Sequence, residues 1–130
     1  MIYKLLATSE WEQARAQGRY AGSAVDHRDG FVHFSAADQL AETARRHFAG
    51  VTGLTLLTVD PARLGAGLRW EASRGGALFP HLYGPLPVDA VVAVDALPTG
   101  TPVDEAVTAV LAAAAADGPG AADGPDTVTG

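Results

Sequence analysis

The sequence predicts an α+β domain, and three features point there. Short apolar stretches with strand character, "MIYKLLA", "FVHFS", "LTLLTVD" and "GLRWE", are set among turn residues. Helical patterns are too few to place a helix between every strand pair, as a doubly wound sheet needs. An alanine-rich helical stretch, "VDEAVTAVLAAAAA", then follows the last strand pattern.

A chain of 130 residues has room for one domain with one real core, and 48% hydrophobic residues is an ordinary globular share. Cysteine is absent, so disulfide and thiolate chemistry are excluded, which fits a reducing compartment. The first apolar run is too short for a membrane span and lacks a small-residue cleavage site. These features predict a cytoplasmic protein without a membrane partner. The net charge of −6 and pI near 5.0 repel a phosphate backbone on average, so nucleic acid is an unlikely partner.

The elements follow in order. Met1 to Ala7 reads as a strand. Ser9 and Glu12 have the spacing of a capping box for the helix that follows, and Gly18 closes it. Arg19 to Gly30 is loop-like. "FVHFS" reads as a short strand with Val32 and Phe34 on one face and Phe31, His33 and Ser35 on the other. Ser35 and Asp38 form a weaker capping pair for a helix from about Ala36 to Ala49, with Leu40, Ala44 and Phe48 inward. Leu54 to Asp60 is apolar on both faces, the mark of a central strand covered on two sides, and Pro61 ends it. "GLRWE" is another strand, "ASRGGALFP" a glycine-bearing loop, and Ala90 to Val94 the last strand. Phe34, Leu56, Leu57 and Val92 are the expected core. Thr101 as cap, Pro102 in the first helical position and Asp104 and Glu105 in the first turn start the final helix. The expected division is a domain over 1–98, an alanine-rich helix over 99–116 and a disordered tail over 117–130, where AADGP occurs twice and nothing large and apolar is present.

Polar side chains stand where core is expected in three places. His33 and Ser35 share a strand face with Phe31, a pattern that suits a cleft lining better than a solvent face. A core-edge histidine bonded to backbone, beside a capping serine, is the competing reading. Trp70 and Glu71 point to opposite faces of a strand, so a buried Trp70 sends Glu71 to the other side. In "FPHLYGP", Pro80 and Pro85 bracket His81 and Tyr83, which makes a rigid turn or a binding loop. The histidine spacings match none of the usual zinc patterns, and no metal is expected. Ser35 lacks a nucleophile elbow, and the dinucleotide fingerprint is missing.

Taken together, "DGFVHFSAADQ", "LLTVDPARL", "LRWE" and "FPHLYGPLPVDAVV" resemble the bacterial domain-of-unknown-function 952 family, over about Met1 to Leu97. That family is similar in fold to the ADP-ribosyltransferases. The resemblance implies a split α+β domain whose two small sheets form a central cleft that holds NAD. It implies His33 and Ser35 as NAD-binding groups on the early strand, with Trp70 and Tyr83 as aromatic contacts. Glu71 and His81 are the candidates for the later, catalytic polar group. Cleavage of the nicotinamide–ribose bond develops positive charge on the ribose, which a nearby carboxylate stabilises. The resemblance therefore implies an ADP-ribosyltransferase or NAD glycohydrolase with NAD as substrate. A non-catalytic module binding a nucleotide or small metabolite and an RNA 2′-phosphotransferase are the alternatives.

Overall fold

A computed structural model describes residues 1–116; the expected disordered tail over 117–130 lies outside the described residues. The fold is α+β with several antiparallel sheets. One sheet has the order β4 (Ser35–Ala36), β1 (Ile2–Ala7), β5 (Leu54–Val59), β9 (Val91–Ala96). A second has the order β3 (Val32–His33), β7 (Leu78–Leu82), β6 (Leu68–Ala72), and β2 (Arg19–Tyr20) pairs with β8 (Leu86–Pro87). The α-helices are α1 (Thr8–Gln17), α2 (Ala24–Asp29), α3 (Leu40–His47) and α4 (Val103–Ala116). No helix among the described residues is long and apolar enough to cross a membrane.

The doubly apolar β5 is central, as its composition predicts. It pairs with β1 from Ile2↔Val59 to Ala7↔Leu54 and with β9 on its other side. Its alternate side chains feed two cores. Leu57 and Val59 join Ile2, Leu6, Trp11, Phe34 and Leu82 on one face. Leu54 and Leu56 join Leu5, Leu40 and Ala44 on the other, together with Val103 and Val107 of α4. Burying each of these leucines contributes about 1.5–3 kcal/mol. The alanine-rich helix is thus a structural part of the second core, which it closes against α3.

Several expectations change. The helix after β1 starts with Ala7 as N-cap and no side-chain cap bond; Ser9 already lies inside it, so no Ser9–Glu12 box forms. Gly18 does close that helix, in the left-handed conformation at φ 85°, with its amide donating to the Ala14 carbonyl. The segment read as loop from Arg19 to Gly30 holds β2 and α2, and α2 carries a capping box of its own between Ser23 and Asp26. "FVHFS" is not one strand. The chain passes from one sheet to the other at Phe34, whose N–H donates to the Pro80 carbonyl, while His33 pairs with His81 and Ser35 with Tyr3. α3 begins at Leu40, because Gln39 first closes a turn, donating its N–H to the Ala36 carbonyl and accepting the Ala36 N–H on its side chain. Ser35 therefore caps nothing; its hydroxyl lies 2.9 Å from that of Thr43.

The "FPHL" segment is strand β7 rather than loop. Pro80 stands in the middle strand of its sheet, and its carbonyl accepts from the Phe34 N–H. Phe34, Leu56 and Leu57 are buried as expected, but Val92 is 45% exposed. It sits on the edge strand β9 at a register shift against Thr58 and Val59, so one flank has no neighbouring strand.

Candidate functional site

A cleft of about 520 Å³ lies where β1, α2, the β3–β4 crossing, α3 and β7 meet. That volume is in the range of small-molecule sites. β4 pairs with only Ile2 and Tyr3, so the edge of β1 beyond Tyr3 faces the cleft through Lys4 and Leu5. Phe34, Leu40, Phe48 and Phe79 supply apolar wall, and Ser35, Thr43 and His81 supply polar groups.

At one end the polar lining is a connected array. Lys4 is 7% exposed and Asp26 3%. The Lys4 ammonium lies 3.2 Å from Asp26 Oδ2 and donates to the His33 carbonyl at 2.9 Å, with the rings of Tyr20 and Phe34 beside it. Asp26 Oδ1 accepts from the His33 backbone N–H at 3.1 Å and lies 2.6 Å from His33 Nδ1. His33 Nε2 lies 3.0 Å from Asp29 Oδ2, and Asp29 pairs with Arg28 at 3.1 Å. Both imidazole nitrogens face carboxylate oxygens, so both contacts are hydrogen bonds only when each nitrogen carries a hydrogen. His33 thereby clamps α2 to β3.

Burial acts most strongly on Asp26 and opposes its ionisation. The bonds from His33, the charge of Lys4 and the backbone amides of Ser23 and His33 together outweigh it, and the carboxyl is held well below its usual range. Burial pushes the Lys4 ammonium down, and Asp26 pulls it partly back. At Asp29 the bond from Arg28 leads in holding the carboxyl below the ordinary value.

The second cluster lies on the β6–β7 side. Glu71 Oε1 is 2.8 Å from His81 Nδ1 and accepts the Tyr83 hydroxyl at 2.7 Å. The bonds from His81 and then Tyr83 hold the Glu71 carboxyl below the glutamate range, and the bond to Glu71 raises the Tyr83 phenol. Phe31 stacks on His81 with ring centroids 4.0 Å apart, and Phe31 also touches the rings of His33 and Tyr83. An ionised Glu71 only accepts, so His81 Nδ1 carries the hydrogen, and in the neutral imidazole Nε2 is the acceptor.

The candidates from the sequence divide accordingly. His33, Ser35 and His81 line the cleft. Glu71 and Tyr83 are joined to it through His81 but do not line it, and Tyr83 is 43% exposed. Trp70 stands apart. It pairs with Pro80 on β7, is 47% exposed and does not line the cleft. Its strand β6 is the edge of its sheet, which leaves the indole half in solvent. Lys4 and Asp26 were missed. A lone lysine inside "IYKLLA" and the Ser23–Asp26 spacing were the signals available. No group of three or more metal-binding side chains occurs among the described residues.

Among solved structures, the crystal structure of protein CC0527 from Caulobacter crescentus is 53% identical, with a TM-score of 0.74; the likeness covers 78% of this chain and 91% of that one. A crystal structure of a double mutant of CC0527 is 51% identical with a TM-score of 0.73, over 78% of this chain and 91% of that one. The solution structure of CC0527 is 51% identical with a TM-score of 0.69, over 78% and 90% of the two chains. No curated protein matches the chain. The family described as "Protein of unknown function (DUF952)" matches residues 5–94, from β1 through most of β9. The chain belongs to the DUF952 family.

Proposed function

We propose that the cleft binds a nucleotide of the NAD type and that His81 moves a proton in breaking its N-glycosidic bond. The observation that carries this is the Glu71–His81 contact at 2.8 Å on a histidine that lines the cleft. Glu71 fixes the ring and its tautomer, which leaves Nε2 as base. In the step proposed, the bond from ribose C1′ to the nicotinamide nitrogen breaks and nicotinamide leaves with the bonding pair. Water, or the hydroxyl of an acceptor, forms the new bond to C1′, and its proton passes to His81. Glu71, which does not line the cleft, acts through His81 as a positioning residue. The choice of ligand follows the ADP-ribosyltransferase-like fold that the sequence resemblance implies.

A second reading, a binding module without turnover, is favoured by the doubly occupied Glu71 Oε1, because the carboxylate is already engaged by His81 and Tyr83. Nicotinamide release from NAD, measured by chromatography, separates the two. Turnover in the wild type, lost in His81→Gln and reduced in Glu71→Gln while circular dichroism stays native, supports the enzyme. Binding of NAD by calorimetry with no release above buffer, with water or any added acceptor, leaves the binding module. RNA 2′-phosphate transfer has the weakest support, since the described lysine and arginine of the cleft are both ion-paired.

A further inference from the structure

We propose that the cleft takes the uncharged ring-and-sugar part of its ligand, a nucleoside-type portion, and leaves any phosphate outside in solvent. This rests on the nucleotide reading above and narrows it.

Phosphate sites are built from cations with free donors or from open helix N-termini. In the cleft, the lysine and the arginine each stand beside a carboxylate. Lys4 pairs with Asp26 at 3.2 Å, and Arg28 pairs through Nε with Asp29 at 3.1 Å. The charges cancel in pairs, so this end of the cleft offers a phosphate little net attraction. The neighbouring helix α2 is six residues long, and its first turn is closed by the Ser23–Asp26 box.

The same wall suits a neutral ligand. It carries both donors and acceptors, among them Lys4, Asp26 and His33, which matches hydroxyl groups, because each hydroxyl both donates and accepts. The hydroxyls of Ser35 and Thr43, 2.9 Å apart, extend that pattern. Phe34, Phe48 and Phe79 add apolar lining that suits a flat heterocycle.

Calorimetry on the full chain tests this with adenosine against AMP and nicotinamide riboside against NAD, at low and moderate salt. The nucleoside of each pair is expected to bind within about threefold of its phosphorylated partner, with little change as salt rises, because no unpaired cation is used. Phosphorylated ligands binding more than about tenfold tighter, and weakening steeply with salt, overturn the inference while the nucleotide reading stands. If neither nucleosides nor nucleotides bind, both fall. Asp29→Asn supplies a second readout, since it frees Arg28 from its counter-charge. The AMP-to-adenosine affinity ratio is expected to rise about tenfold at low salt and to fall back as salt screens it. An unchanged ratio in a natively folded variant overturns the argument from paired charges.

Discussion

Lys4 Nζ lies 3.2 Å from Asp26 Oδ2, and both side chains are buried. The pair ties β1 to α2 across the wall of the cleft. Two charges out of water are stable only while each satisfies the other, so the pair holds the cleft end in one geometry. Breaking it from one side leaves a buried charge alone. Asp26→Asn is expected to cost about 3–5 kcal/mol. In a double-mutant cycle with Lys4→Met, the double variant is expected to lose less than the sum of the two single losses. Urea melts of the four proteins measure this; simple additivity means that the two side chains do not act as a pair.

Asp26 also sets an acid limit on stability. Its carboxyl is depressed in the fold, so its stabilisation is complete above the unfolded value of about 3.9 and drains away as pH falls through the lower folded value. The urea midpoint is expected to decline below about pH 4 in the wild type. Asp26→Asn is expected to flatten that decline. Equal slopes in the two proteins assign the acid sensitivity to other carboxylates.

Gly22 makes the turn that delivers Asp26. Its φ is 113°, and a Cβ there meets Asp26 Cβ at 2.9 Å. Gly30, at φ 88°, has nothing within 4 Å of a Cβ. Both positions disfavour alanine through the backbone, but only Gly22→Ala also pushes on the buried pair. Gly22→Ala is expected to be the more destabilising of the two by thermal melting, and the reverse order means that α2 shifts freely.

Leu56 is fully buried between the β-sheet and the α3–α4 layer. Leu56→Ala is expected to cost about 2–5 kcal/mol in denaturant unfolding. A near-neutral result requires that the second core collapse around the missing side chain.

The family match ends at residue 94, yet Val103 and Val107 of α4 are buried in one cluster with Leu5, Leu40 and Leu56. A chain cut before Val103 exposes that apolar surface. It is expected to lose its cooperative unfolding transition by calorimetry. A sharp native transition in the shortened chain makes the helix an accessory.

The α+β class, the central position of β5, the burial of Phe34, Leu56 and Leu57, and the final helix were all legible in the sequence. Each rests on local information, such as hydrophobic periodicity, a terminating proline or glycine, or a run of helix formers. His33, Ser35 and His81 were legible as cleft residues for the same reason, since polar groups interrupt apolar patterns there. What the tertiary structure decided is non-local. The chain changes sheets at Phe34 because the Phe34 amide finds the Pro80 carbonyl, and no local pattern encodes that partner. Trp70 is left half exposed because β6 has a neighbour on only one side. Val92 is exposed on β9 for the same reason. Lys4 reads locally as an odd charge in an apolar strand. Only the fold brings Asp26 from 22 positions away to neutralise it, because a buried ammonium requires a counter-charge, and a sequence does not reveal which carboxylate will arrive.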